Sequence, residues 1–177
     1  TIIRLLVSLN REETSSEYLS ELLRALASQR STGVIVGLDL TGDENKPVAP
    51  STASFFRSAA DDLGLPCSIH AGETGIIDNV RWAIEECRAS RIGHGLAAAS
   101  DPHLLDQLKD KNITTELCLT SNLRTGFVQD LSEHPIHQFK AHCAPFSVCT
   151  DNPSIHNAWL TDEYLLHLNH NRTPSKT

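Results

Sequence analysis

Apolar positions along this chain follow two periods in alternation. Short runs such as Val34-Ile35-Val36-Gly37-Leu38 are apolar on both faces, which is the signature of strands covered on both sides in a parallel sheet. Between the runs, apolar residues recur three and four apart. Phe55, Phe56, Ala59, Ala60 and Leu63 make one such stripe, with Pro50 and Ser51 to start it and Gly64 to stop it. The pattern predicts strands over 2–9, 33–40, 66–70, 90–93, 113–118 and 146–150. Helices are predicted over 15–29, 51–63, 76–88, 101–110, 132–141 and 160–168.

Strands that alternate with helices imply an α/β domain built on a parallel sheet. An open flavodoxin-like sheet would bring a glycine-rich phosphate loop after the first strand, but Asn10-Arg11-Glu12-Glu13 stands there. A (β/α)8 TIM-type barrel reduced at its N-terminal end to about six βα units fits better. The 177 residues are short for a closed barrel, which typically takes roughly 250. The chain has no methionine and opens directly in the apolar run Ile2–Val7, so its start is expected to cut through a larger domain. One partial barrel domain is expected over 1–168, followed by a polar, disordered tail over 169–177. The first and last strands should then be open edges, and the chain should associate or remain partly molten.

Charge narrows the partners. A net charge of −7 with no basic cluster gives no footprint for a phosphate backbone, which excludes long nucleic acid and leaves a single nucleoside or nucleotide. No apolar stretch approaches the ~20 residues of a membrane span, and no export signal opens the chain, so a cytoplasmic location is expected. The five cysteines are odd in number and form no Cys-x-x-Cys pair, which predicts reduced thiols.

Candidate chemistry gathers where the apolar runs end. Ser68-Ile69-His70-Ala71-Gly72-Glu73, Ile92-Gly93-His94-Gly95 and Phe146-Ser147-Val148-Cys149-Thr150-Asp151 each deliver His, Glu or Asp at a strand's C-terminal end. A parallel barrel collects its catalytic groups at that end. Each has a plain structural alternative: a histidine bonded to a carbonyl beside a helix-capping Glu73, a packed His94, or Asp151 as an N-cap. All three alternatives must hold together to remove the site, so the set points to a metal-assisted hydrolase. Gly42 offers a backbone N–H to a flat heterocycle, and Thr120-Ser121-Asn122 reads as a polar turn. His134 and His137 read as surface or packing residues, with Pro135 starting a helix.

Taken in order, Gly-Leu-Asp-Leu-Thr-Gly-Asp-Glu (37–44), His-Ala-Gly-Glu (70–73), Arg-Ile-Gly-His-Gly (91–95), Glu-Leu-Cys-Leu-Thr-Ser-Asn (116–122), His-Pro-Ile (134–136) and Thr-Asp-Asn-Pro (150–153) resemble the adenosine deaminase family. The resemblance implies that family's metal-dependent-hydrolase barrel, of which this chain would supply strands three to eight. It also implies hydrolysis of adenosine to inosine and ammonia. His70 and Asp151 would be zinc ligands, and Glu73 would protonate the purine ring nitrogen beside the amino-bearing carbon. His94 would orient the zinc-bound water and help deprotonate it. Gly42 would donate its backbone N–H to the purine.

Two positions depart from the family pattern. The His-x-His pair that completes the family's zinc site does not occur in these residues, so the chain alone is expected to bind zinc weakly and to be inactive. Asn152 stands where the family usually has a second aspartate facing purine N7, and its amide can still donate to that nitrogen. The 116–122 segment also looks like the branch that acts on N6-methylated AMP, with Arg11 and Arg124 as candidate phosphate-binding residues. A non-catalytic relative that serves as a binding module is the alternative from another class. Cytosine-type zinc deaminases are disfavoured, because their Pro-Cys-x-x-Cys ligands are absent.

Overall fold

A computed structural model describes residues 2–12 and 15–170. Six strands run in chain order: β1 Leu5–Asn10, β2 Ile35–Thr41, β3 Cys67–Ala71, β4 Arg91–His94, β5 Thr114–Leu117 and β6 Phe146–Val148. All pairings are parallel, and each strand pairs with its neighbour in the chain, so the sheet order is β1-β2-β3-β4-β5-β6. The helices between and after them are α1 Ser16–Gln29, α2 Pro50–Leu63, α3 Ile77–Glu85, α4 Pro102–Asp110, α5 Leu119–Arg124, α6 Ile136–Ala141, α7 Pro153–His156 and α8 Leu160–His170. This is the α/β architecture that the two periods predict.

Local chemistry sets the helix ends. Proline opens α2, where its missing N–H costs nothing, and Gly64 ends it in the left-handed region at φ 61°. Asp101 caps α4 by accepting from the His103 and Leu104 amides. The main core lies between sheet and helices, where Leu38, Leu40, Ile69, Ile92 and Leu117 meet Phe56, Leu105, Leu108 and Phe139, all fully buried.

The structure departs from the predicted elements in several places. Ile2–Arg4 lie outside β1, because pairing with β2 starts only at Leu5, whose amide bonds to the Val34 carbonyl. The helix predicted to 88 ends at Glu85, and Arg88 turns the chain at φ 58°. The one predicted from 132 starts at Ile136, directly after Pro135. Helices α5 and α7 were not expected, since Ser/Thr/Asn-rich sequence reads equally as turn. The tail predicted from 169 is helical at Asn169 and His170, because α8 continues through them. The rest of that tail, 171–177, lies outside the described residues.

At one edge of the sheet Ile2, Ile3, Leu5 and Leu6 are exposed, by 77, 74, 51 and 45%. All five cysteines are free thiols. Among the described residues no helix is long and apolar enough to cross a membrane.

Candidate active site

Along β3, Cys67, Ile69 and Ala71 are fully buried in the core, so strand alternation turns Ser68 and His70 to the opposite face, where both line a cavity. His70 pairs in register with Gly93 of β4. A Cβ at Gly93 would stand 3.0 Å from the His70 Cγ and Nδ1 atoms, so the bare glycine makes room for the ring. His70 Nδ1 lies 3.1 Å from the Leu40 carbonyl oxygen and 3.4 Å from Asp39 Oδ1. A carbonyl only accepts, so Nδ1 carries the proton and Nε2 keeps its lone pair. Asp39 is itself held by the Ser8 hydroxyl at 2.9 Å. Burial alone would lower the His70 pKa, but hydrogen bonding and charge from Asp39 outweigh it and the net shift is upward. A histidine anchored at one nitrogen and free at the other is the usual arrangement of a metal ligand.

After β3 the chain turns through Gly72 at φ 80° to Glu73. The buried Glu44 carboxylate accepts the Gly72 amide at 2.6 Å, the Glu73 amide at 3.0 Å and Asn79 Nδ2 at 3.1 Å. It fixes the loop from below. Burial pushes the Glu73 carboxyl up to about 7, with help from Asp151 and Glu44. Near neutral pH this group therefore has a proton to give.

His94 ends β4 and Asp151 follows β6, each in the left-handed region, at φ 60° and 58°. For residues with a Cβ that conformation costs about 1–3 kcal/mol, and it is found disproportionately at functional sites. The His94 ring is buried, with its centroid 5.1 Å from that of His70. Its Nδ1 lies 3.6 Å from Glu73 Oε1 and 3.1 Å from Asn122 Nδ2. Burial and the neighbouring His70 hold its pKa well below the usual histidine value. Asp151 Oδ2 accepts from the Ser121 hydroxyl at 2.7 Å and lies 3.4 Å from His156 Nε2.

His70, His94 and Asp151 thus come together in a cavity of about 300 Å³, with Asp39, Glu116 and Cys118 also in its wall. Glu73 adjoins it through His94 and lines a second hollow of about 320 Å³ with Leu96, Ala97 and Phe127. Gly42 and Asn152 are exposed and outside the first cavity's lining. Asn152 caps α7 instead, its Oδ1 accepting from the Ile155 amide at 3.2 Å.

His70 Nε2 and an Asp151 oxygen suit zinc as donors, but a catalytic zinc ordinarily has at least three protein ligands. Among the described residues no group of three His, Cys, Asp or Glu is placed to hold a metal. The residues present fit a zinc site as two members of a larger set.

Several groups that build this site went unread in the sequence. Asp39 alternates with the buried Leu38 and Leu40, so its inward face was legible from strand period. Glu44 sits in a loop, where no periodicity applies. Arg11, a phosphate candidate by sequence, is buried, donates to the His70 carbonyl and lies 5.8 Å from the Trp82 ring centroid. Arg124 is exposed at the end of α5. His134 is wholly buried beneath the site, packing rather than surface.

Comparison with known proteins bears on these residues. The sequence model of the family described as Adenosine deaminase matches residues 1–173. An adenosine deaminase of Vibrio parahaemolyticus is 39% identical over 142 residues, covering 80% of this chain and 42% of its own. The apo structure of the N6-methyl-AMP deaminase from Arabidopsis thaliana superposes with a TM-score of 0.82 at 27% identity, over 97% of this chain and 49% of that one. An Arabidopsis ADAL structure complexed with IMP gives a TM-score of 0.81 at 28% identity, over 94% and 47%. The chain spans about half the length of the relatives it matches.

Proposed function

The chain belongs to the adenosine deaminase family, and from that we propose that it carries the C-terminal catalytic part of a zinc-dependent deaminase of 6-aminopurines, with adenosine as substrate and inosine and ammonia as products. The observation that supports this most is the convergence of His70, His94 and Asp151 on one cavity, with the Glu73 carboxyl, pushed up to about 7, beside it. Zinc, when bound, makes a water nucleophilic at neutral pH and polarises the attacked centre. His70 and Asp151 would hold it, with further donors from outside these 177 residues. Glu73 hands its proton to the ring nitrogen beside the amino-bearing carbon, which makes that carbon electrophilic. His94 orients the attacking oxygen. Gly42 and Asn152 face the purine from the rim, Asn152 through the amide nitrogen that its capping bond leaves over.

With two zinc donors of its own, the chain alone binds the metal weakly and turns over little or nothing. Zinc titration calorimetry on the chain and on His70→Ala and Asp151→Ala tests this. Weak binding lost in both variants is the expected result, and binding that survives both would overturn the assignment. Once the further zinc donors are supplied, ammonia release from adenosine, measured beside methylamine release from N6-methyl-AMP, identifies the substrate. The likeness to the Arabidopsis N6-methyl-AMP deaminase keeps that nucleotide as the second reading. The two-donor count supports a third, a binding module without catalysis, which deamination by the zinc-loaded chain would remove.

A further inference from the structure

Beneath the cavity, three wholly or nearly buried side chains form one line. His94, Asn122 and His134 are 3, 0 and 0% exposed. The Ile136 amide donates to His134 Nδ1 at 3.1 Å. Pro135 has no amide hydrogen, so this is the first N–H of the α6 segment, and His134 caps it. His134 Nε2 lies 3.2 Å from Asn122 Oδ1, and Asn122 Nδ2 lies 3.1 Å from His94 Nδ1.

A backbone amide cannot reverse its polarity, so it sets the sense of the whole line. With Nδ1 accepting from Ile136, neutral His134 carries its proton on Nε2 and donates it to Asn122 Oδ1. The Asn122 amide group must then face His94. Turning that amide over would require the His134 proton on Nδ1, against the Ile136 N–H. His94 Nδ1 is consequently an acceptor without a proton.

We infer that Asn122 and His134 are positioning residues that hold His94 in the tautomer with its proton on Nε2. Nε2 is the nitrogen left for the cavity that His94 lines. An oxygen approaching His94 there meets an N–H, so His94 serves as a donor that orients the oxygen rather than as a base that takes its proton. His70 is held in the opposite tautomer by the Leu40 carbonyl. The two neighbouring rings thus present unlike faces, a lone pair at His70 and an N–H at His94. The role at the attacking oxygen rests on the deaminase reading, whereas the tautomer rests on the hydrogen bonds alone.

Long-range proton–nitrogen NMR on the ¹⁵N-labelled, metal-free chain tests the inference, because it separates pyridine-type from pyrrole-type ring nitrogens. At neutral pH His94 should show a pyridine-type Nδ1 and a pyrrole-type Nε2. A pyrrole-type Nδ1 in the unsubstituted chain overturns the inference, with no variant needed. In Asn122→Asp both side-chain oxygens accept, so His94 Nδ1 should switch to pyrrole type while His134 keeps its pattern. A folded Asn122→Asp chain with His94 unchanged would equally refute the role given to Asn122. A purely space-filling Asn122 would leave the tautomer alone. Zinc binding that survives both His70→Ala and Asp151→Ala would sink the deaminase reading and leave these spectra as they are.

Discussion

Glu44 and Glu73 face each other through the backbone: the carboxylate of the first accepts the amide of the second at 3.0 Å. The bond fixes where the Glu73 side chain starts, and the Glu44 charge is one cause of the raised Glu73 pKa. Glu44→Gln keeps the shape, removes the charge and turns an amide N–H₂ toward backbone donors. It should cost about 1–3 kcal/mol of stability and bring the Glu73 midpoint below about 7. Thermal melts and carbon-detected NMR titration of the carboxyls measure the two effects.

The raised Glu73 pKa also fixes the sign of a pH dependence. Folding lifts this carboxyl from 4.5 to about 7, so the folded state holds the proton more tightly than the unfolded one. Its stabilisation is complete below the unfolded pKa and is lost as pH rises through about 7. For the partly hydrated group we expect a loss of about 1–2 kcal/mol between pH 5 and about pH 8. Glu73→Gln should flatten that part of the curve, and an unchanged slope would contradict the assignment.

Gly93→Ala would place a methyl group 3.0 Å from the His70 ring. The ring cannot recede without breaking its bond to the Leu40 carbonyl, so destabilisation of about 1–3 kcal/mol is expected, with loss of whatever zinc affinity His70 supplies. Calorimetry with and without zinc separates the two contributions.

The edge strand β1, with Leu5 and Leu6 exposed and Ile2 and Ile3 exposed just before it, offers one unpaired backbone edge beside apolar side chains, a template for pairing with another chain. The 177-residue chain should run larger than a monomer in sedimentation velocity. Leu5→Lys should shift it toward the monomer, since a lysine on an edge opposes strand addition. A monomeric chain that melts cooperatively would refute this.

Strand period and strand-end chemistry made the site's inner members legible in the sequence, as with His70, His94 and Asp151, because each closes an apolar run whose partners are also apolar runs. Asn122 and His134 escaped that reading for a physical reason. Asn122 stands in α5, whose composition reads as turn, and His134 lies beyond it, between a short 3-10 turn and α6. The role inferred for them rests on Asn122 touching His94, 28 residues away, and on His134 touching Asn122, and no local period encodes such contacts. Gly42 and Asn152 show the opposite limit. Their motifs are local and readable, while their relation to the cavity depends on loop paths that the motifs do not fix.

Because each strand from β2 to β6 pairs with the one before it in the chain, every strand contact closes only the segment between consecutive strands, which keeps the sheet's contacts short in sequence. The Leu40 carbonyl that anchors His70 lies 30 residues from it, and the Ser121 hydroxyl that holds Asp151 is likewise 30 residues away. The cavity's two walls are therefore built by separate, local closures, one in β2 and β3 and the other in α5 and the turn after β6.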